Sequence, residues 1–304
     1  MQEGSKKAIL AAFLANVAIA IAKLVGFFLT GAASMLAEAV HSGADASNQG
    51  LLFLGGARAR KSATPEHPFG YGRERYFWSF VVALVLFTLG GLFALYEGID
   101  KLRHPHEIES ATVAFVILTI AIIVEAFSFR TAIIESKHVK GKESWWQFVR
   151  RSKSPELPVV LLEDLGAMVG LIFAVMGLGL AEITGDPRYD AAGSIAIGLL
   201  LVVIAMILVI EMKGLLIGEA ATPAMIASIT RTMESSERVT RVIHLRTQHI
   251  GPDELLVGAK LAFDESLDVT GLATAINEVE HRVRQAVPTA RMIYIEPDIE
   301  RVTT

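Results

Sequence analysis

His41 and Asp45 stand four residues apart. On a helix that spacing puts both side chains on one face, one turn apart. An imidazole and a carboxylate so placed form half of a site for a divalent cation. Asn48 and Gln49 follow one turn on, and Glu38 lies one turn before. Further along, Glu125 and the adjacent pair Glu163 and Asp164 interrupt other apolar stretches. The 304 residues contain no cysteine, which excludes disulfides, thiolate zinc knuckles, iron–sulfur clusters and thiol nucleophiles. A donor set of one imidazole and several carboxylates suits Zn²⁺, and also Mn²⁺, Fe²⁺ or Co²⁺. The alternative is an interhelical hydrogen-bonded pair, His41 with Asp45, that only fixes packing. Glu38 is expected at the outer mouth of its span, and Lys23 is expected to snorkel or pair.

The elements that must carry these groups are long and apolar. Hydrophobic residues make up 52% of the chain and charged ones 20%, with a mean hydropathy of +0.48. That is too apolar for an ordinary soluble domain. Six stretches approach or exceed the ~20 residues needed to cross a bilayer: 8–30, 33–57, 77–98, 111–134, 157–181 and 191–216. The first reads as a span and not as a cleaved signal. Cations alternate with the connections. Lys6 and Lys7 precede the first span; Arg58, Arg60, Lys61, Arg73 and Arg75 follow the second; a cluster from Arg130 to Lys153 follows the fourth. The loops at Gly31, at His104-Pro105-His106 and at 182–188 carry few. The positive-inside rule therefore puts both termini in the cytoplasm. Trp145, Trp146, Arg150 and Arg151 suit the inner membrane interface.

From about Thr222 the pattern changes. A capped helix begins at Pro223, strands are predicted over 242–249, 255–263 and 291–296, and an amphipathic helix over 269–286. The order α-β-β-α-β describes a small ferredoxin-like α+β domain. Of the 32 acidic and 28 basic residues, 13 and 9 lie from Glu219 onward, so the whole net charge of -4 falls in this tail. No basic patch for nucleic acid is present.

Ser34-Met-Leu-Ala-Glu-Ala-Val-His41-Ser-Gly-Ala-Asp45 resembles the second-span signature of the cation diffusion facilitator family. Gly70-Tyr-Gly-Arg73-Glu-Arg75 and Leu215-Leu-Ile-Gly-Glu219-Ala-Ala fit the same resemblance, which covers nearly the whole chain. Glu66 to Trp78, Pro158-Val-Val-Leu-Leu-Glu-Asp164 and Ile183-Thr-Gly-Asp-Pro-Arg-Tyr-Asp190 resemble its zinc-transporter-9-like branch. The resemblance implies a membrane all-α bundle of six transmembrane helices (residues 1–216) and a cytoplasmic α+β dimerisation domain (residues 217–304). It implies a transport site of two ligand pairs. His41 and Asp45 match the first pair, and Asp164 matches half of the second. Val160 stands where the fourth ligand would be, which leaves Glu125, Glu163 or water for that place. His67 has Tyr71 where a second loop ligand would be expected, and Ile243, Lys260 and Ile295 replace ligands of a regulatory pair in the tail. Arg73 resembles the family's basic residue that locks the dimer to an acid at the exit of the sixth span, with Glu219 the nearest candidate partner; plain surface pairing is the alternative.

The implied function is efflux of a divalent cation, Zn²⁺ first, as transported substrate exchanged for H⁺ by a multi-pass homodimer in the lipid bilayer. For a prokaryotic chain that bilayer is the cytoplasmic membrane. The rivals are an exporter of Mn²⁺, Fe²⁺ or Co²⁺ and a membrane-bound metal sensor or scaffold. No enzyme is expected, since no H-E-x-x-H is present.

Overall fold

A computed structural model of the chain describes residues 3–105 and 111–299, with side chains from residue 16 onward. The side chains of Lys6 and Lys7, and His106 of the third connection, lie outside that description. The chain forms two compact units: Met1–Ala57 with Phe77–Lys213, and Arg58–Tyr76 with Gly214–Thr304.

The first unit is helical: α1 (Glu3–Thr30), α2 (Ala33–Arg58), α3 (Glu74–Val85), a π-helical segment (Leu86–Leu92), α4 (Phe93–Arg103), α5 (Ala111–Lys140), the short α6 (Trp145–Arg151), α7 (Glu156–Thr184) and α8 (Arg188–Ile217). The segments run a turn or more beyond several of the apolar stretches. A helix satisfies its own backbone in lipid, so it continues into the polar interface. Glu74–Arg103, α5, α7 and α8 are long and apolar enough to cross a membrane, and α1 contributes the shorter apolar run Asn16–Thr30. α2 falls short in composition because it carries Glu38, His41, Asp45 and Asn48, all buried. Those groups face inward on a helix whose other buried residues are mostly small, Ala33, Ala37 and Ala44 among them.

The core of this unit is built from Met35, Leu86, Leu118, Leu171, Leu178, Leu201 and Leu208, with alanines between them. α5 packs on α7 and on α1. The Gly90-Gly91 pair lies in the π segment against α8: a Cβ on Gly91 would meet Val202, and one on Gly198 would lie 2.7 Å from the backbone nitrogen of Leu95. Small residues thus let these two segments approach backbone to backbone. In α2, a Cβ on Gly55 would lie 2.8 Å from the Trp78 side chain, while nothing lies within 4 Å of a Cβ on Gly56.

The second unit follows the order α9 (Pro223–Glu234), β1 (Val239–Gly251), β2 (Glu254–Phe263), α10 (Val269–Ala286), β3 (Met292–Pro297). The α-β-β-α-β reading stands, with β1 beginning three residues before the expected start. The sheet order is β1-β2-β3, with β1 and β2 antiparallel and β2 and β3 parallel. The parallel pair follows from α10, which supplies the crossover that parallel strands need. Leu255, Val257, Ala259 and Leu261 alternate onto one face of β2 and join Ile229, Met233, Val279 and Val283 in a core. Thr222 caps α9 by accepting from the Met225 N–H, and Asp268 caps α10 by accepting from the Gly271 N–H at 2.7 Å.

Candidate metal centre

α2 is anchored at its start by a residue far away in sequence. Asp190, in the first turn of α8, accepts from the backbone N–H groups of Ala33 (2.7 Å) and Ser34 (3.4 Å) and from the Ser34 hydroxyl. It therefore does the work of an N-cap, satisfying donors that the first turn leaves open. The preceding connection bends at Gly31, whose φ of 65° suits glycine, and the Gly31 carbonyl accepts from Lys101 Nζ at 2.6 Å.

With α2 so fixed, its polar face meets three helices. His41 Nδ1 and Asp45 Oδ1 are 3.5 Å apart, with the imidazole fully buried. That is ion-pair range without a hydrogen bond: both ring nitrogens of His41 and Asp45 Oδ1 lack a partner. Asp45 lies within hydrogen-bonding reach of Glu163 on α7. Glu163 Oε1 also accepts from Asn48 Nδ2 at 2.9 Å. Asp164, next in sequence, turns toward α5, where its Oδ2 accepts from Ser128 Oγ at 2.9 Å. The two neighbours thus serve different helices, as the ~100° between consecutive helical positions requires. Glu125 on α5 is buried, and its charge bears on Asp45, Glu163 and Asp164. Val160 packs in an apolar cluster with Phe129, Ile133, Leu157 and Leu161. Among the described residues, no three His, Asp or Glu side chains converge at once on metal-ligand spacing.

Glu38 is not at a mouth. It is fully buried and paired with Lys23. Its position along α2 alone suggests a mouth, but α1 supplies an internal cation that holds it inside. Asp190 as a cap had no local signal, since its partners are more than 150 residues away.

The remaining groups lie elsewhere. Exposed His67 stacks on Tyr71 with ring centroids 4.6 Å apart. Arg75, two residues from Arg73, makes a 2.8 Å ion pair with Asp253. In the tail, Lys260 pairs with Glu296 at 2.8 Å and with Asp298 at 3.3 Å. Hydrogen bonds to those two carboxylates hold its ammonium above the usual lysine range. His244 accepts from Arg246, and His281 lies beside Gln285. α6 starts on a capping box of Ser144 and Gln147. Lys140 sits over the Trp145 ring. An apolar groove of about 640 Å³ lies beside it, lined by Phe129, Trp145, Trp146, Leu161 and Leu165.

A family model described as the cation efflux transmembrane domain matches residues 9–217. A mitochondrial protein of Xenopus laevis, the proton-coupled zinc antiporter SLC30A9, is 34% identical over 265 residues, covering 86% of this chain and 47% of that protein. The magnetosome protein MamB of Paramagnetospirillum magneticum is 23% identical over 282 residues, covering 93% of this chain and 90% of its own. Among solved structures, a nickel form of a MamM CTD variant is 18% identical, with a TM-score of 0.24, covering 26% of this chain and 98% of its own. The chain therefore spans about half the length of the antiporter it matches.

Proposed function

The chain belongs to the cation efflux family, and from that premise we propose that it carries Zn²⁺ across a membrane in exchange for protons. His41, Asp45 and Asp164 bind the ion near mid-membrane. Glu163 completes the site, with Glu125 as the alternative. The single observation that carries this reading is the set of partnerless donors on α2: both His41 nitrogens and Asp45 Oδ1, buried and without a hydrogen bond. Buried polar atoms are normally satisfied, and leaving one open costs about 1–3 kcal/mol. A cation passing through would use those atoms. Glu163, beside Asp45 and held by Asn48, stands closer to this pair of ligands than the sequence suggests.

Exchange follows from ionisation. Imidazole and carboxylate bind metal only when deprotonated, so protons and cation compete for the same atoms. Binding from one side and protonation from the other, with the helices rocking between, gives alternating access. The unit 1–216 transports, and 217–304 joins two copies in the cytoplasm, where both termini lie.

The donor set also favours a second cargo. Three carboxylates against one imidazole make an oxygen-rich site, which suits Mn²⁺ or Fe²⁺ as well as Zn²⁺. Proteoliposomes with a set pH gradient test both readings. Zinc uptake should depend on the gradient, and Asp45→Asn should abolish it; manganese in excess should leave zinc flux standing. Normal proton-driven zinc flux through Asp45→Asn would falsify the site, and flux of manganese in preference to zinc would reassign the cargo.

A further inference from the structure

Among the described residues, the helical unit buries a complete ion pair that the proposed ligand set does not use. Lys23 on α1 and Glu38 on α2 are both 0% exposed, with Lys23 Nζ 2.9 Å from Glu38 Oε2. The same ammonium donates to Ser42 Oγ at 2.7 Å. Such a pair gains little over apolar side chains of equal volume, because desolvating two charges offsets their attraction. Ionisable groups within a membrane unit mark an ion path by default.

Three details separate this pair from packing alone. Glu38 Oε1 has no hydrogen-bond partner, so the carboxylate is only half satisfied. On the facing helix α7, a Cβ on Gly170 would lie 2.7 Å from that oxygen; glycine is what leaves space for it. Finally, the pair adjoins the cation ligands. Glu38 lies one turn before His41 and Ser42 directly follows it, and the Lys23 charge bears on His41, Asp45 and Glu125.

We infer that Glu38 with Ser42 is a second station for the divalent cation, and that Lys23 is a tethered cation that fills it when no cargo is there. The inference rests on the reading of His41 and Asp45 as ligands. A carboxylate and a hydroxyl offer a divalent cation the same oxygens that they offer an ammonium. A cation arriving at His41 and Asp45 repels Lys23 and loosens its hold on Glu38. Glu38 then takes the cation onward. When the cation leaves, Lys23 returns to Glu38, which keeps the ion from rebinding.

The test uses the full chain, with zinc binding measured in detergent and zinc flux in proteoliposomes. Lys23→Met removes the competitor and leaves Glu38 free, so zinc should bind about tenfold tighter and turn over about tenfold more slowly. The neutral, nearly isosteric pair Lys23→Met with Glu38→Gln should keep zinc affinity within about threefold and lose about tenfold in turnover, because the station is gone. Lys23→Arg, which keeps the charge, should keep the rate within about threefold. A double variant that transports normally, or one that no longer binds zinc, overturns the inference. If Asp45→Asn still binds zinc normally, the failure belongs to the ligand reading and not to the second station.

Discussion

Asn48 shows how much a single amide can set in this unit. It is one turn beyond Asp45 on α2, and its Nδ2 holds Glu163 Oε1 at 2.9 Å. A group that orients a ligand typically matters 10–100-fold to affinity. Asn48→Ala should therefore weaken zinc binding about tenfold without unfolding the chain, as read by zinc titration and a thermal melt on the same sample. Unchanged affinity would mean that Glu163 is no ligand, and would favour Glu125. The residue types of this cluster were legible in the sequence: His41 and Asp45 announce a shared face through their spacing. What was not legible is that adjacent Glu163 and Asp164 divide between α2 and α5. Helical periodicity separates their directions, but only the neighbouring helices decide which partner each one meets.

At the scale of elements, two devices hold α2 and its partners in place. The first is the Asp190 cap on the α2 N-terminus. Removing an N-cap costs about 1–2 kcal/mol, so Asp190→Ala should lower the melting temperature and, by releasing the first turn of α2, reduce flux. Asp190→Asn, which keeps an acceptor, should recover most of the loss; if both variants melt like the parent, the cap is not structural. The second device is the contact of the π segment and α4 with α8. A Cβ at position 198 would lie 2.7 Å from Leu95 N and 2.9 Å from Gly91 O. Neither is a flexible side-chain end, so Gly198→Val should separate the two segments and give misfolded protein by gel filtration. A π segment is uncommon and often sits at functional sites; here a Cβ on Gly90 would approach His41 Nδ1 at 3.8 Å.

For the whole molecule, the two units answer different demands. The helical unit buries polar groups among apolar ones, and the tail is an α+β domain with its own core. Lys260 illustrates the difference. Its ammonium is held above the usual range by Glu296 and Asp298. A raised cation contributes fully below its unfolded pKa and loses that contribution only as pH rises through the raised value. This network is thus constant between about pH 6 and 8. Lys260→Met should leave the pH profile of flux unchanged in proteoliposomes; a shifted profile would place part of the coupling in the tail. Homodimerisation has an equally direct check. Light scattering in detergent should give a protein mass twice the 32.9 kDa of one chain, and a monomer that still transports would remove the dimer from the proposal.

Composition and periodicity settled what the solvent is and which atoms are on offer. With 52% hydrophobic residues and no cysteine, the chain had to place long apolar helices in lipid and restrict metal chemistry to nitrogen and oxygen. The tail was equally readable, because capping residues, turn residues and alternation are local signals, and the helices and strands of the second unit follow them closely. Three pairings came only from the tertiary structure: Lys23 with Glu38, Asn48 with Glu163 and Asp190 with the start of α2. Each joins residues from different helices. Spacing along one helix specifies a face, whereas the partner of that face depends on how several helices pack, and that is a property of the folded whole.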